Sequence, residues 1–128
     1  MDGSRGGKIE NSIGAVSEKE TWGKRAEWCD YSGIVEGKKV GVAIFDNYDN
    51  VNFPTYWHVR DYGLMAANPF GLSHFIGKNK DGTYILNAKD ELIFKYRLVV
   101  HDGDAFEAKL KEHYLNYYVP WETHVFKN

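Results

Sequence analysis

The stretch Lys39–Asp46 constrains the fold of this chain most, because it alternates like a β-strand yet has no polar side. Successive side chains of a strand point to opposite faces of a sheet. One face here carries Val40, Val42 and Ile44, and the other carries Gly41, Ala43 and Phe45. Such a pattern is typical of a strand that is covered on both faces of its sheet. In so short a chain, the second cover would come from a missing half of a longer protein or from a partner subunit.

Five further stretches have the composition of strands and are separated by turn residues: Lys8–Val16, Ala26–Tyr31, Tyr56–Tyr62, Thr83–Leu86 and Glu91–His101. The last is the longest, and its apolar face is formed by Leu92, Phe94, Tyr96, Leu98 and Val100. Aromatic residues make up 16% of the chain, which also favours strands. The sequence therefore predicts a mainly β fold, an antiparallel β-sandwich that could be only part of a larger one.

Near the C-terminus, the spacing of the apolar residues changes from that of a strand to that of a helix. Asp104 and Glu107 have the spacing of a helix N-cap and its capping-box partner. Phe106, Leu110, Tyr114 and Tyr117 then follow at helical spacing. We expect an amphipathic helix over about residues 104–117. A single β-sandwich domain would span residues 8–118, between a flexible tail at 1–7 and a second tail at 119–128. A shorter capping box, Ser17-Glu18-Lys19-Glu20, predicts one helical turn ending near Gly23.

Overall composition excludes several classes of protein. The 128 residues fit one domain, and a formal net charge of −2 argues against the basic face of a nucleic-acid-binding protein. No apolar run approaches the roughly 20 residues of a membrane span. No signal peptide is visible, but a longer chain could carry one, so the cellular location is not predicted. Cys29 stands alone, which excludes an intrachain disulfide and favours a small buried side chain over a nucleophile.

One polar cluster, Trp57–Gly63, carries most of the candidate chemistry. Strand alternation places His58 and Arg60 side by side on one face. Arginine binds carboxylates and phosphates with a rigid fork, and histidine exchanges protons near neutral pH. We predict His58 and Arg60 as catalytic residues acting on an anionic or hydroxyl-rich ligand. The structural alternative is that Arg60 pairs with a neighbouring carboxylate while His58 bonds a backbone group.

Other residues are candidates for ligand binding around that pair. Asp46, Asn50 and Asp61 could shape a pocket, although Asp61 faces away from His58 and the loop that holds the other two equally suits turn chemistry. His74, in the loop after Pro69, could reach the same site. Aromatic rings can stack on sugars, and the candidates are Trp22, Trp28, Tyr31, Tyr56 and Trp57, most of which equally suit a core.

No cofactor or metal is predicted. The histidines have neither His-x-His nor His-x-x-x-His spacing, and the loop with Asp46, Asp49 and Asn50 lacks the order of an EF-hand. There is also no glycine-rich phosphate loop and no Gly-x-Ser-x-Gly turn. The expected partner is a small-molecule or oligosaccharide ligand.

Five blocks of the sequence resemble one bacterial family of unknown function that often carries the automatic label "methane oxygenase PmoA family". They are Trp22–Arg25, Trp28–Gly33, Gly41–Asp46, Trp57–Gly63 with Ala67–Phe70, and Tyr96–His101. The resemblance covers about residues 8–115, and its most specific block is Trp57–Gly63. The family's usual loop, Asp-His-Pro-x-Asn-Pro, keeps only Asp46 and Asn50 here, so any role of that histidine in relatives is missing from this chain.

The resemblance implies a large β-sandwich similar to the galactose-mutarotase supersandwich, of which this chain would be the C-terminal portion, with an N-terminal half missing. Such proteins occur among sugar-degradation proteins. The oxygenase label is not expected to apply, because a particulate methane oxygenase subunit crosses the membrane several times. Two hypotheses follow: a sugar-processing enzyme that uses acid–base chemistry, or a non-catalytic carbohydrate-binding or structural domain.

Overall fold

The computed structural model describes residues 7–77 and 80–118 of the chain. The predicted tail at 119–128, and the predicted tail at 1–7 except for Gly7, lie outside this part. In chain order the elements are β1 (Lys8–Asn11), α1 (Ser17–Thr21), β2 (Trp28–Val35), β3 (Lys38–Asp46), β4 (Tyr56–Arg60), β5 (Leu64–Asn68), α2 (Leu72–Phe75), β6 (Tyr96–Asp102) and α3 (Leu110–Tyr118).

The strands form two antiparallel sheets, which confirms the mainly β, antiparallel prediction. The larger sheet has the order β1-β2-β3-β6, and β4 and β5 form a separate hairpin. Strands β2 and β3 are joined by Glu36 and Gly37, which both have positive φ, at 50° and 80°. Two such residues match the twist of a tight β-hairpin, so the turn fixes the register that pairs Val35 with Lys38.

The β4–β5 hairpin packs against the larger sheet over β1 and β2 and reaches Ile44 of β3. The buried core there joins Ile9, Cys29 and Tyr31 of the sheet to Trp57 and Val59 of the hairpin. The Trp57 side chain is fully buried, and its indole Nε1–H donates a hydrogen bond to the backbone oxygen of Ala26 at 2.9 Å. Burying this large ring with its polar atom satisfied fixes how the hairpin sits on the sheet.

The C-terminal segment covers the opposite face of the larger sheet. Its Leu110 and Tyr114 pack on Phe45 of β3, and the two rings of Phe45 and Tyr114 meet edge to face at 5.2 Å. The Tyr114 hydroxyl also donates a hydrogen bond to the backbone oxygen of Asp46 at 2.9 Å. One face of β3 is therefore buried by this segment, as its apolar pattern predicts.

Three predicted strands are wrong in whole or in part, and one of them, Lys8–Val16, is reduced to β1 at Lys8–Asn11. Thr83–Leu86 forms no strand, and the predicted strand Glu91–His101 is reduced to β6 at Tyr96–Asp102. The reason is the length of the neighbour: Tyr96 pairs with Asp46, the last residue of β3, so residues before Tyr96 have no strand beside them. The backbone of Lys95 instead exchanges two hydrogen bonds with the side chain of Asn50, both at 2.7 Å.

The C-terminal helix starts later than predicted. Asp104 and Glu107 do form the reciprocal capping hydrogen bonds, at 2.9 and 3.2 Å, but around an irregular turn. Lys109 has a positive φ of 55°, which interrupts helical geometry before α3 begins at Leu110. Phe106 is consequently 88% exposed and does not join the packed side of the helix.

The first capping box is also formed differently from the prediction. Helix α1 begins at Ser17, but the residue in the N-cap position is Val16, whose own side chain makes no capping hydrogen bond. Ser17 has a positive φ of 77°, so its hydroxyl does not take the usual capping place. The Glu20 carboxylate accepts a hydrogen bond from the Val16 N–H at 3.0 Å instead.

We predict that Leu110→Ala lowers the free energy of unfolding by about 2–5 kcal/mol, because the Leu110 side chain is fully buried between α3 and the sheet. The control is Leu115→Ala on the same helix, where the side chain is 53% exposed and the loss should stay within about 0.5 kcal/mol. Urea denaturation followed by circular dichroism measures both. Equal losses would contradict the packing of α3 described above.

Candidate functional site

The candidate site is built on the outer face of β4, beside the segment that follows α1. The Gly23 N–H donates to the Trp57 oxygen at 2.8 Å, and the Trp57 N–H donates to the Lys24 oxygen at 3.1 Å. These two bonds hold the segment alongside β4 like a neighbouring strand. Strand alternation then brings the Trp22 side chain against both His58 and Arg60.

His58 is held by Trp22. The indole Nε1–H of Trp22 donates to His58 Nδ1 at 3.3 Å, and the ring centroids lie 6.1 Å apart. An indole nitrogen can only donate, so Nδ1 of the neutral imidazole supplies the lone pair and Nε2 carries the hydrogen. His58 therefore offers a hydrogen-bond donor to a ligand, while its lone pair is already used.

Arg60 links the aromatic part of the site to a carboxylate. Its guanidinium Nη1 lies 2.9 Å from Glu18 Oε1, and Cζ lies 4.9 Å from the centroid of the Trp22 ring. The structural alternative to a catalytic Arg60 is an ion pair with a neighbouring carboxylate, and Glu18 supplies that carboxylate. Both side chains are partly exposed, with 36% of Arg60 and 27% of Glu18 accessible, so the pair contributes little to stability by itself.

Helix α2 adds His74 and Phe75 to the same face. The centroid of the His74 ring lies 6.4 Å from that of His58 and 5.9 Å from that of Trp22, and Phe75 lies 5.2 Å from Trp22. The structure thus brings the exposed His74 beside His58, although the two residues are on different elements. Sequence spacing alone could only suggest this proximity.

A cavity of about 380 Å³ opens beside Glu18 and Asp61, and its lining includes neither His58 nor Arg60. Its lining includes the carboxylates of Glu18 and Asp61 and the amines of Lys8 and Lys19. This volume falls within the range of small-molecule sites. Asp61 therefore lies at the cavity, and Glu18 belongs both to the cavity wall and to the ion pair with Arg60.

Asp46 and Asn50 belong to a separate buried network. Asp46 accepts hydrogen bonds from the Asn47 and Thr55 N–H groups and from the Asn50 amide, at 3.0, 2.9 and 2.7 Å. Burial raises the pKa of Asp46, and these hydrogen bonds oppose the rise. Among the described residues, none of these hydrogen bonds reaches His58 or Arg60. The network orders the loop between β3 and β4.

Tyr31 and Trp57 support the site from below. Both are buried, with 3% and 0% of their surface exposed, so neither ring has a free face for stacking on a sugar. The Tyr31 hydroxyl donates to the Arg60 backbone oxygen at 2.9 Å and accepts from the Gly63 N–H at 3.1 Å. Tyr31 thereby fixes the end of β4 and the turn that follows it.

A second histidine site is not evident from the sequence. His101 lies with its Nε2 2.5 Å from Asp30 Oδ1, and both side chains are almost fully buried. Gly41 makes room for the ring, since a Cβ at that position would lie 2.5 Å from His101 Cε1. The pairing of Gly41 with His101 across β3 and β6 is the signal that could have indicated it.

Asp30 is an unusual carboxyl group. Burial raises its pKa to about 6, and the hydrogen bond from His101 opposes that rise. Its second oxygen, Oδ2, is buried without a hydrogen-bond partner among the described residues. An unpartnered buried carboxylate oxygen favours the protonated form.

Other chemistry receives no support from the described residues. Cys29 is fully buried, and burial raises the pKa of its thiol to about 12, which is unfavourable for a nucleophile. No three His, Cys, Asp or Glu side chains of residues 7–77 and 80–118 are grouped as a metal site would need. In the same residues, no helix is long and apolar enough to cross a membrane.

The fold and the site define a mainly β protein whose candidate ligand surface lies on a hairpin packed against a larger antiparallel sheet. The chain belongs to a family of unknown function (DUF6807), whose model matches residues 1–115. The match does not confirm the PmoA label of the family that the sequence blocks resemble. No curated protein and no solved structure matches the chain.

We predict that wild-type protein loses stability relative to Asp30→Asn as the pH rises from about 4 to about 6. The unfolded carboxyl group releases its proton near pH 3.8, whereas the folded one holds it to about 6. Over that interval the folded state binds more protons, so raising the pH favours unfolding. The upper limit of the effect is about 3 kcal/mol.

Denaturant melts of both proteins at several pH values measure the difference in unfolding free energy, which should fall and then level off above pH 6. A difference that rises with pH would show that the contact with His101 outweighs burial and lowers the pKa of Asp30.

Proposed function

We propose that this domain binds a carbohydrate, preferably one carrying a carboxylate, along a surface strip formed by Glu18, Trp22, His58, Arg60 and His74. The observation that carries this proposal is the position of Arg60. Its guanidinium contacts the Trp22 ring on one side and, on the other, Glu18 at the wall of the 380 Å³ cavity. A ligand along the strip would meet the cation in the middle.

The donors of the strip suit sugar oxygens. A guanidinium has five N–H donors, and among the described residues the only hydrogen bond that Arg60 makes from its side chain is the one to Glu18. The remaining donors can bind a carboxylate with two parallel bonds, which is the strongest geometry for this pair of groups. His58 adds an Nε2–H donor fixed in orientation by Trp22. Glu18 and Asp61 at the cavity can accept hydrogen bonds from hydroxyls.

The carbohydrate class rests on two further considerations. The strip combines the aromatic ring of Trp22 with the charged groups of Glu18 and Arg60 and the imidazoles of His58 and His74, as sugar-binding surfaces combine rings with hydrogen-bonding groups. The sequence blocks also resemble the PmoA-labelled family, whose members occur among sugar-degradation proteins and are similar to the mutarotase supersandwich. Both considerations support a carbohydrate ligand rather than a nucleotide, for which the chain has no phosphate-binding loop.

The hydrogen bond between His58 and Trp22 favours a role for His58 in ligand binding over a role in acid–base catalysis. A general base needs a free lone pair, and the only lone pair of the neutral His58 ring accepts the Trp22 N–H. His58 is therefore better suited to hold a hydroxyl or carboxylate in place than to transfer a proton.

The second candidate is a sugar-processing enzyme, and the exposed His74 favours it. Its ring lies 6.4 Å from that of His58, centroid to centroid, so a ligand oxygen could contact both imidazoles. The described residues give His74 ring contacts but no hydrogen bond from its side chain. Both of its nitrogens are thus available for proton transfer, which would make His74 the acid–base group and His58 and Arg60 the groups that hold the ligand.

We predict that Arg60→Ala weakens the binding of a sugar acid at least tenfold, because a hydrogen bond to a charged group contributes about 1.5–3 kcal/mol. Isothermal titration against galacturonate, glucuronate and the matching neutral sugars measures the effect. The control is Arg97→Ala, since Arg97 stacks on Tyr117 of α3 at 4.6 Å, away from the strip. Equal weakening in both variants, or no binding of any sugar by the wild type, would overturn the proposal.

If the domain is an enzyme, His74→Ala should abolish turnover of the bound sugar while leaving its dissociation constant within a few-fold of the wild-type value. His58→Ala should instead weaken binding, because it removes a donor and frees the Trp22 N–H. Product formation on the tightest-binding sugar of the panel, followed by NMR, separates the two variants. Turnover that survives in His74→Ala would contradict this assignment of roles.

A further inference from the structure

A second hollow lies beside Tyr56, at the opposite end of β4 from Arg60. It has a volume of about 220 Å³, which is enough room for one sugar ring. Its lining comes from segments that are far apart in the sequence and includes Arg25, Asn52, Tyr56, Leu72, Asp81 and Tyr84. None of these side chains belongs to the strip proposed above, so the hollow is a separate feature of the surface.

The hollow contains groups that can bind the hydroxyls of a ligand. Arg25 donates from Nε and Nη2 to backbone oxygens of the loop before β4, and no hydrogen bond from its Nη1 is found among the described residues. In the same part of the chain, the Tyr56 and Tyr84 side chains make ring contacts but no hydrogen bond. Tyr84 is also 44% exposed, so its ring can lie against a sugar while its hydroxyl donates or accepts.

The charges of the hollow favour a neutral occupant. Its lining includes one cation, Arg25, and one anion, Asp81. Together they offer hydrogen-bond donors and acceptors but no net attraction for a carboxylate. The hollow therefore suits the hydroxyl groups of a neutral sugar, whereas Arg60 suits a sugar acid.

The hollow and the strip lie along one face of β4. Tyr56, His58 and Arg60 are partly exposed and alternate with buried residues, so their side chains form one outward row. From Tyr56 to Arg60 the strand extends about 13 Å, which is longer than one sugar ring. The ring of Phe75 in α2 connects the two ends, since its centroid lies 5.7 Å from that of Tyr56 and 6.1 Å from that of His58.

We propose that the ligand is an oligosaccharide of at least two residues, with a uronic acid bound at Arg60 and a neutral sugar bound in the hollow beside Tyr84. This inference rests on the proposed function, because the sugar acid at Arg60 positions the residue that follows it. A single sugar ring at Arg60 is too short to reach Tyr84, whereas the next residue of a chain that runs along β4 can enter the hollow.

Isothermal titration of the whole chain tests the length of the ligand. The probes are galacturonate and glucuronate, and two disaccharides that join each acid to a neutral sugar, galacturonosyl-rhamnose and glucuronosyl-xylose. At least one disaccharide should bind about tenfold more tightly than its own acid, as one or two further hydrogen bonds would give. Equal affinities would overturn this inference and leave binding at Arg60 intact. Absence of binding by every probe would instead overturn the proposed function, and this inference with it.

Tyr84→Ala tests the place of the second residue. It should remove the gain of the disaccharide and leave the affinity for the acid unchanged, whereas Arg60→Ala should weaken the binding of both. The matched control is Tyr48→Ala, since Tyr48 is 51% exposed but contacts Tyr118 rather than the hollow. A Tyr84→Ala variant that retains the gain, or that loses affinity for both probes equally, overturns the inference.

Gly82→Ala is a second variant that keeps every hydrogen-bonding side chain of the hollow. A Cβ at Gly82 would collide with the backbone oxygen of Phe70, so the segment that carries Asp81 and Tyr84 must move. The variant should lose the gain of the disaccharide and retain the affinity for the acid. A thermal melt checks that each variant is folded. A folded Gly82→Ala variant that binds the disaccharide as the wild type does would contradict the assignment of the hollow.

Discussion

Much of this structure depends on the hydrogen bonds that the buried residue Asp46 accepts. It ends β3, and by accepting three hydrogen bonds it fixes the loop that leads to Thr55 and hence to β4. Asn50, bound to it, holds the backbone of Lys95 where β6 is about to begin. The backbone oxygen of Asp46 also receives the hydroxyl of Tyr114 in α3. One residue thus positions both sheets and the terminal helix.

This network explains why the sequence leaves two roles open for Asp46 and Asn50. A cluster of Asp and Asn in a loop is equally consistent with a ligand pocket and with turn chemistry, and only the partners distinguish them. Those partners, Lys95 and Tyr114, lie 45 and 68 residues from the groups that bind them. Local sequence carries no trace of contacts at such separations, so the structural role becomes visible only in three dimensions.

Local periodicity predicts the fold well where a strand has a neighbour of equal length. The alternation of β3 gives its position almost to the residue, and the same rule places His58 and Arg60 on one face of β4. The rule fails for residues 83–95, whose composition suits strands, because β3 ends at Asp46 and leaves them nothing to pair with. Strand propensity needs a partner to become a strand.

The width of the two sheets explains why β3 is apolar on both sides. Strands lie about 4.8 Å apart, so a two-stranded hairpin covers roughly half the width of a four-stranded sheet. The hairpin here packs on Ile9, Cys29 and Tyr31 and reaches Ile44 of β3, and its Ala67 lines one hollow with Leu98 of β6. Strand β3 is therefore packed on both faces, as its apolar pattern predicts, whereas Leu98 and Val100 of β6 stay 66% and 79% exposed because two strands cannot cover four.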